Sequence, residues 1–259
     1  MCDSCSCSPT DQIVTIHKHG VEHSELHAHH AGSAGHDKFE AKGRKVEIGQ
    51  EVLARNDSLA AQNRELFALK RILALNLVSS PGSGKTTLLE YTLRNFKEFP
   101  VSVIEGDQQT ARDAQRIADT GVPVVQVNTG AGCHLDAAMV SRAVHKLEPG
   151  DDSILFIENV GNLVCPALFD LGEAAKVVVI SVTEGEDKPE KYPYMFKAAR
   201  LCLINKIDLL PYVDFDPVRC RENALRVNPD LVFFELSATK GDGMDEWLDW
   251  LRHQHRSLD

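Results

Sequence analysis

Residues 79–87 read Ser79-Ser80-Pro81-Gly82-Ser83-Gly84-Lys85-Thr86-Thr87. The small residues Gly82, Ser83 and Gly84 let successive backbone N–H groups turn inward on phosphate oxygens, while Lys85 reaches the β- and γ-phosphates. Thr86 offers its hydroxyl to Mg²⁺, and a helix opening at Thr86-Thr87 adds its positive dipole end. The first position, commonly glycine in such loops, is Ser79.

Two later segments select the base. Asn205-Lys206-Ile207-Asp208 places a carboxylate, Asp208, where it can accept from both N1–H and the exocyclic amine of guanine. Adenine has no such donor pair and would leave that carboxylate unsatisfied. Lys206 can lie along the purine face and Asn205 ties the loop. Ser237-Ala238-Thr239-Lys240 then offers a backbone amide, in the region of Ser237 and Ala238, to the guanine O6. The expected ligand pair is GTP/GDP.

Two acidic loops complete this set: Glu105-Gly106-Asp107-Gln108-Gln109-Thr110 and Glu158-Asn159-Val160-Gly161. Gly161 can bring its N–H to a γ-phosphate. Asp107 and Glu158 can orient Mg²⁺ or its water, and Asp107 can position an attacking water. Phosphoryl transfer needs positioning and charge neutralisation rather than covalent chemistry, so Lys85, Asp107, Glu158 and Gly161 suffice for GTP hydrolysis. No arginine finger is identifiable, and slow turnover is expected.

A separate donor set lies nearby. Cys133-His134 sits in Gly130-Ala131-Gly132-Cys133-His134-Leu135-Asp136, and Cys165 follows the Glu158–Gly161 loop. Two thiolates and an imidazole suit Zn²⁺ or Ni²⁺, and three ligands leave the site open to exchange or to completion by a second subunit. The N-terminal Cys2-x-x-Cys5-x-Cys7 adds three thiolates, a soft donor set for Ni²⁺. Seven of the eleven histidines (His17, His19, His23, His27, His29, His30 and His36) fall in the same tail, which suits metal storage or buffering. Cys202, inside LCLIN, reads as core packing; Cys220 takes no assignment; His145 reads as a helix-face residue, and His253 and His255 as a frayed C-terminal end.

The elements that must hold these residues follow from the apolar pattern. Continuous apolar runs at 73–79, 101–107, 122–128, 153–159, 175–182, 200–206 and 231–237 alternate with helical segments such as 86–96, 136–147 and 244–252. Strands apolar on both faces imply a mainly parallel sheet flanked by helices, an α/β P-loop NTPase fold with its ligands beyond the carboxyl ends of the strands. Residues 1–45 lack large apolar side chains between Leu26 and Phe39 and read as a disordered metal-binding tail. Residues 46–71 read as an amphipathic helix packed on the nucleotide domain, with Val52, Leu59 and Leu66 on a stripe flanked by Leu53, Ala60 and Phe67. Residues 72–259 form the GTPase domain.

The whole chain carries a formal charge of −10, and the first 45 residues hold five basic and six acidic side chains, so the body beyond them is acidic. Such a surface repels phosphate backbones and argues against nucleic-acid binding. No run of 18 apolar residues spans a membrane, and MCDSCSCSPTDQ lacks the charged and apolar regions of a secretory leader. A cytoplasmic location is expected, where seven cysteines point to metal binding rather than disulfides.

From Val46 onward, SSPGSGKTTLL, EGDQQT, Cys133-His134, ENVGNLVCP, TEGEDKP and NKIDLLPY together resemble the HypB family of GTP-hydrolysing hydrogenase nickel incorporation proteins. The N-terminal CxxCxC is similar to that family's nickel motif, with Ser6 in place of a glycine. The resemblance implies a metallochaperone that helps deliver nickel to the large subunit of nickel–iron hydrogenase. It further implies a GTP-dependent homodimer with a metal site at its interface, work with the HypA metallochaperone, metal ligation by Cys133, His134 and Cys165, and a nucleotide contact from Lys188. Two alternatives stand beside it: a urease nickel-delivery GTPase, and a nickel store with secondary GTPase activity.

Overall fold

The structure, a computed structural model, describes residues 15–18, 41–108, 112–130 and 132–258. Cys2, Cys5 and Cys7 lie outside the described residues. In chain order the elements are β1 (Thr15–Lys18), α1 (Ala41–Leu69), β2 (Ile72–Ser79), α2 (Lys85–Asn95), β3 (Val101–Asp107), α3 (Arg112–Ala118), β4 (Val124–Asn128) and α4 (Ala137–Leu147). There follow β5 (Ser153–Glu158), β6 (Ala175–Ser181), α5 (Lys188–Lys191), α6 (Pro193–Ala198), β7 (Leu201–Asn205), α7 (Pro217–Val227), β8 (Val232–Glu235) and α8 (Met244–Arg256).

Among the described residues, eight strands form one sheet in the order β1-β4-β3-β5-β2-β6-β7-β8. The seven strands from β2 to β8 are mutually parallel, whereas β1 pairs antiparallel with β4, Thr15 opposite Asn128. All seven predicted runs are strands, with ends that lie within two residues of the predicted ones. Alternate side chains explain their continuous apolar character: Leu73, Leu75 and Leu77 of β2 pack with α2 and α8, while Ile72 and Ala74 pack with α1 and α4 on the other face. Beneath β6 and β7, a third apolar cluster joins α6 and α7.

Two segments within residues 1–45 are described. Thr15–Lys18 forms an edge strand, paired antiparallel with β4. Helix α1 begins at Ala41. Of the apolar stripe, Ala60 and Phe67 are buried and Leu66 packs against the core, whereas Val52 is exposed; the buried side chains described in α1 are Asn56, Ala60, Asn63 and Phe67. Their spacing is that of one helix face, but two of the four are amides.

Those amides dock the helix. Asn56 Nδ2 donates to the Asp170 carbonyl at 2.8 Å, and Asn56 Oδ1 accepts from Ala137 N–H at 2.9 Å. Asn63 Nδ2 donates to the carbonyls of Ala137 and Leu171, each at 3.0 Å. Gly172, at φ +90°, lies flat on α1; a Cβ there would come within 2.6 Å of the Ala60 carbonyl.

Helix α7 has no counterpart among the predicted helices. Asp216 caps it by accepting from Val218 and Arg219 N–H, Pro217 occupies the first turn, and Cys220 is fully buried against the sheet. Cys202 is buried in β7 as expected. His255 is corrected: it is not frayed but buried within α8, its ring 3.8 Å from that of Phe99. No helix among the described residues is long and apolar enough to cross a membrane.

Candidate functional site

The loop after β2 turns through two left-handed glycines, Gly82 (φ 76°) and Gly84 (φ 98°), into α2. A Cβ on Gly84 would meet Asn205 Nδ2 at 2.5 Å, so both conformation and space demand glycine there. Ser79, in the place of the usual first glycine, accepts from Lys85 Nζ at 2.9 Å and donates to the Ser80 carbonyl at 2.6 Å. Its hydroxyl thus parks the lysine over the loop. The buried hydroxyl of Ser83 has no protein partner.

Thr86 donates its hydroxyl to Glu158 Oε1 at 2.7 Å across the boundary between β2 and β5. The second oxygen of Glu158 is buried without a partner, as is Oε2 of Glu105, which sits opposite Glu158 in the β3–β5 register. Burial drives the Glu105 carboxyl up to about 9, reinforced by the negative charges of Glu158 and Asp107. Burial also raises Glu158, with Lys85 and the Thr86 hydroxyl opposing. Unpartnered carboxylate oxygens next to a phosphate-loop hydroxyl fit a hard divalent cation such as Mg²⁺. Asp107, half-buried at the end of β3, accepts from Gln108 N–H at 2.7 Å. Glu105 stands two residues before Asp107 in the sequence, but only the sheet register sets it opposite Glu158.

The 159–161 loop abuts the phosphate loop. A Cβ on Gly161 would stand 3.2 Å from Pro81 Cα and 3.3 Å from Pro81 N and Cγ. Lys188 reaches the same loop, donating to Ser80 Oγ at 2.9 Å while paired with Glu184 at 2.8 Å.

The base-selecting segments converge at the ends of β7 and β8. Asn205 Nδ2 donates to the Ser83 carbonyl at 2.9 Å, and its Oδ1 accepts from Lys206 N–H at 2.8 Å and Ala238 N–H at 3.1 Å. The one amide therefore joins all three loops. Lys206, left-handed at φ 64°, places Nζ 2.7 Å from the Gly82 carbonyl. Ser237 donates to Asp208 Oδ1 at 2.5 Å, and Lys240 N–H donates to Ser237 Oγ at 3.2 Å.

Cys133, His134 and Cys165 also come together, their ligand atoms all within 4.8 Å of one another. Cys133 Sγ lies 2.9 Å from Cys165 Sγ and 3.6 Å from His134 Nδ1. A thiol proton holds this close pair together, and a soft divalent cation bound by both sulfurs would take its place. Burial holds His134 below the usual imidazole range against the opposing charge of Asp136, which favours the neutral ligand form. Phe169 packs on the His134 ring, centroids 4.0 Å apart. Leu135 fills the space over Gly106 of β3, where a Cβ would come 2.8 Å from Leu135 Cγ. The metal-ligand loop is thereby seated on the same strand that carries Glu105 and Asp107.

The sequence model for the "CobW/HypB/UreG, nucleotide-binding domain" matches residues 73–235. The chain is 56% identical over 235 residues to "Hydrogenase maturation factor HypB" of Escherichia coli strain K12, covering 90% of this chain and 81% of that protein. It is 57% identical over 235 residues to the protein of the same name from Azotobacter chroococcum, covering 90% of this chain and 77% of that protein. Among solved structures, HypB from Helicobacter pylori in complex with nickel is similar with a TM-score of 0.73 and 40% identity, over 78% of this chain and 95% of that one. A phosphate-loop sheet of this topology, matched through its nucleotide-binding domain and along most of its length, places the chain in the HypB family of hydrogenase maturation factors.

Proposed function

We propose that this protein hydrolyses GTP and uses the cycle to load or release nickel during maturation of nickel–iron hydrogenase. The observation that carries the reading is the convergence of Cys133, His134 and Cys165 on the loops next to Glu158 and Gly161. The nickel-bound Helicobacter pylori relative supports nickel as the cargo, and the relatives above half identity carry the hydrogenase name. A urease target is less favoured: the relatives named hydrogenase/urease maturation factor, from Helicobacter species, are 39–40% identical, against 56–57% for the two above named for hydrogenase alone.

In this reading Gly82, Ser83, Gly84, Lys85 and Thr87 hold the phosphates, and Asn205, Lys206, Asp208, Ser237 and Ala238 hold guanine. Lys85 leaves Ser79 for the β- and γ-phosphates. Thr86, Asp107 and Glu158 hold Mg²⁺, which when bound neutralises charge developing on the phosphates. Asp107 orients the attacking water, and Gly161 N–H meets the γ-phosphate, which draws the 159–161 loop toward Pro81. Cys133, His134 and Cys165 hold Ni²⁺, or Zn²⁺ in its absence, with a fourth ligand from outside the set. A second copy supplies the remaining coordination in a GTP-dependent homodimer, the HypA metallochaperone and the hydrogenase large subunit follow in the transfer, and the cycle runs in the cytoplasm. The Cys2, Cys5 and Cys7 tail supplies a second nickel donor set, and the tail histidines a reserve.

The test is Ni²⁺ and Zn²⁺ titration of the full chain with GDP and with a non-hydrolysable GTP analogue, beside Cys133→Ala/Cys165→Ala. Affinity that depends on the nucleotide and vanishes for the G-domain component in the double variant is the expected result. Nucleotide-blind binding, untouched by the substitutions, would move the nickel function to the tail.

A further inference from the structure

Between the nucleotide loops and the metal ligands runs a continuous chain of buried hydrogen bonds, centred on a residue to which no role is assigned above. Asn159 directly follows Glu158, is 1% exposed, and takes its own N–H to the Leu77 carbonyl of β2 at 3.0 Å. Its Oδ1 accepts from Leu135 N–H and Val160 N–H, both at 3.0 Å. Two amide donors on one atom fix that atom as the oxygen, so Nδ2 must face Asn76, to whose Oδ1 it donates at 3.2 Å. Asn76, fully buried in β2, is oriented in turn: its Nδ2 donates to Glu173 Oε1 at 3.0 Å. Glu173 accepts from Leu171 N–H at 2.7 Å and pairs with Lys176 at 2.9 Å.

The ends of this chain are the two arms of the metal site. Leu135 is the residue after His134, and its side chain is locked over Gly106. Leu171 lies two residues after Phe169, which packs on His134, in the segment that begins at Cys165. Both arms are therefore tied to the Asn159 side chain, carried on the loop that lies against Pro81 of the phosphate loop, while Asn162 Nδ2 from the same loop also reaches the Cys133 carbonyl at 3.3 Å.

We propose that Asn159 is the positioning residue that couples nucleotide state to metal affinity. The inference rests on the reading of the protein as a GTP-dependent nickel carrier. The physical reason is that Asn76, Leu135 and Asn159 are buried away from bulk solvent, so a broken link is not replaced from solution. If the 159–161 loop shifts when a γ-phosphate binds, Asn159 Oδ1 shifts with it, and the buried Leu135 N–H must follow or lose its acceptor. Following moves Cys133 and His134 relative to Cys165, and a change in that spacing changes metal affinity. Linkage makes the effect reciprocal, so nickel alters affinity for the GTP analogue by the same factor.

The experiment measures Ni²⁺ affinity of the full chain with GDP and with a non-hydrolysable GTP analogue, and takes the ratio, for wild type, Asn159→Ala and Asn159→Asp. The wild-type ratio is expected to differ from one by about 5-fold or more, as for an ordinary allosteric coupling. Asn159→Ala, which removes both links, is expected to bring the ratio to within about twofold of one while affinity for the GTP analogue stays close to wild type. Asn159→Asp keeps the acceptor for Leu135 but turns an oxygen on Asn76 Oδ1, and an intermediate ratio is expected. This variant also carries the test if the alanine variant does not fold.

A wild-type ratio retained in either variant overturns the proposal. So does a fall of both nickel affinities by one common factor, which marks a structural role only. A wild-type ratio of one removes the coupling reading itself and this inference with it, an outcome distinct from a coupled wild type whose variants stay coupled.

Discussion

Removing the Asn63 amide should destabilise the protein more than removing the Arg64 guanidinium beside it, although Arg64 makes the shorter and formally charged contacts. Arg64 Nη2 lies 2.8 Å and 2.6 Å from the two oxygens of Asp170, but its side chain is 51% exposed. Asp170 does titrate below the usual carboxylate range, burial being outweighed by Arg64 and by the Gly172 N–H. At that exposure, solvent screening and side-chain entropy reduce the pair to about 0.2–1 kcal/mol. Asn63 is 3% exposed and makes two hydrogen bonds of 3.0 Å to carbonyls in two different segments. At about 0.5–1.5 kcal/mol each, with no water to replace the donor, Asn63→Ala should cost about 2–3 kcal/mol. The assay is urea unfolding of the full chain followed by circular dichroism at 222 nm, with Arg64→Ala measured in parallel. Should Arg64→Ala cost as much as Asn63→Ala, the account of α1 as a helix docked by buried amides is wrong.

Other consequences follow from the same geometry. Gly161→Ala pushes a methyl group against the Pro81 backbone, which cannot yield as a flexible side chain would, so single-turnover GTP hydrolysis should fall by about tenfold; a wild-type rate would place the 159–161 loop outside the catalytic path. Asp208→Asn should reduce the preference for GTP over ATP by about a hundredfold or more in nucleotide competition, because the pocket no longer penalises the base that lacks two donors. His255 titrates below its usual range because burial disfavours the imidazolium, with Asp152 opposing. The unfolded chain therefore binds more protons as pH drops below about 6.5, and stability contributed by the neutral ring, present above that pH, is lost as pH falls through the folded-state value. Thermal unfolding at pH 7 and pH 5 should show this loss in the wild type and a smaller one in His255→Leu; equal losses would acquit the histidine.

The extent to which this protein is legible in its sequence varies with the range of the interactions involved. Strands were legible because a buried parallel strand must be apolar on both faces, and the run 153–159 leaves little else possible. The phosphate loop was legible because strand, glycine-rich turn and helix are contiguous, so their geometry is set within nine residues. Helix α7 was not, since its sequence PVRCRENALRV presents only Cys220, Asn223 and Ala224 to the interior and looks polar when read along the chain. Helix α1 was legible in part: Ala60, Leu66 and Phe67 of its apolar stripe pack on the core, but the amides of Asn56 and Asn63 that dock it lie outside the apolar pattern. A buried asparagine is invisible to hydrophobic periodicity because its partners, here the carbonyls of residues 137, 170 and 171, lie more than seventy positions away.

The candidate sites divide the same way. Residue types and local spacing by themselves marked which side chains could carry chemistry: Lys85 and Thr86 in a glycine-rich turn, Asp208 as a partner for a purine with two donors, and Cys133 beside His134 as candidate metal donors. Tertiary structure decided what those groups meet. It set Glu105 opposite Glu158, brought Cys165 to Cys133 across 32 residues, and laid Gly161 against Pro81. It also tied Leu135 through Asn159 and Asn76 to Glu173. A motif encodes the conformation of its own few residues, because local sterics and turn chemistry act over that range. Contacts between motifs depend on strand order and register, which are settled only when the whole sheet closes on its two layers of helices.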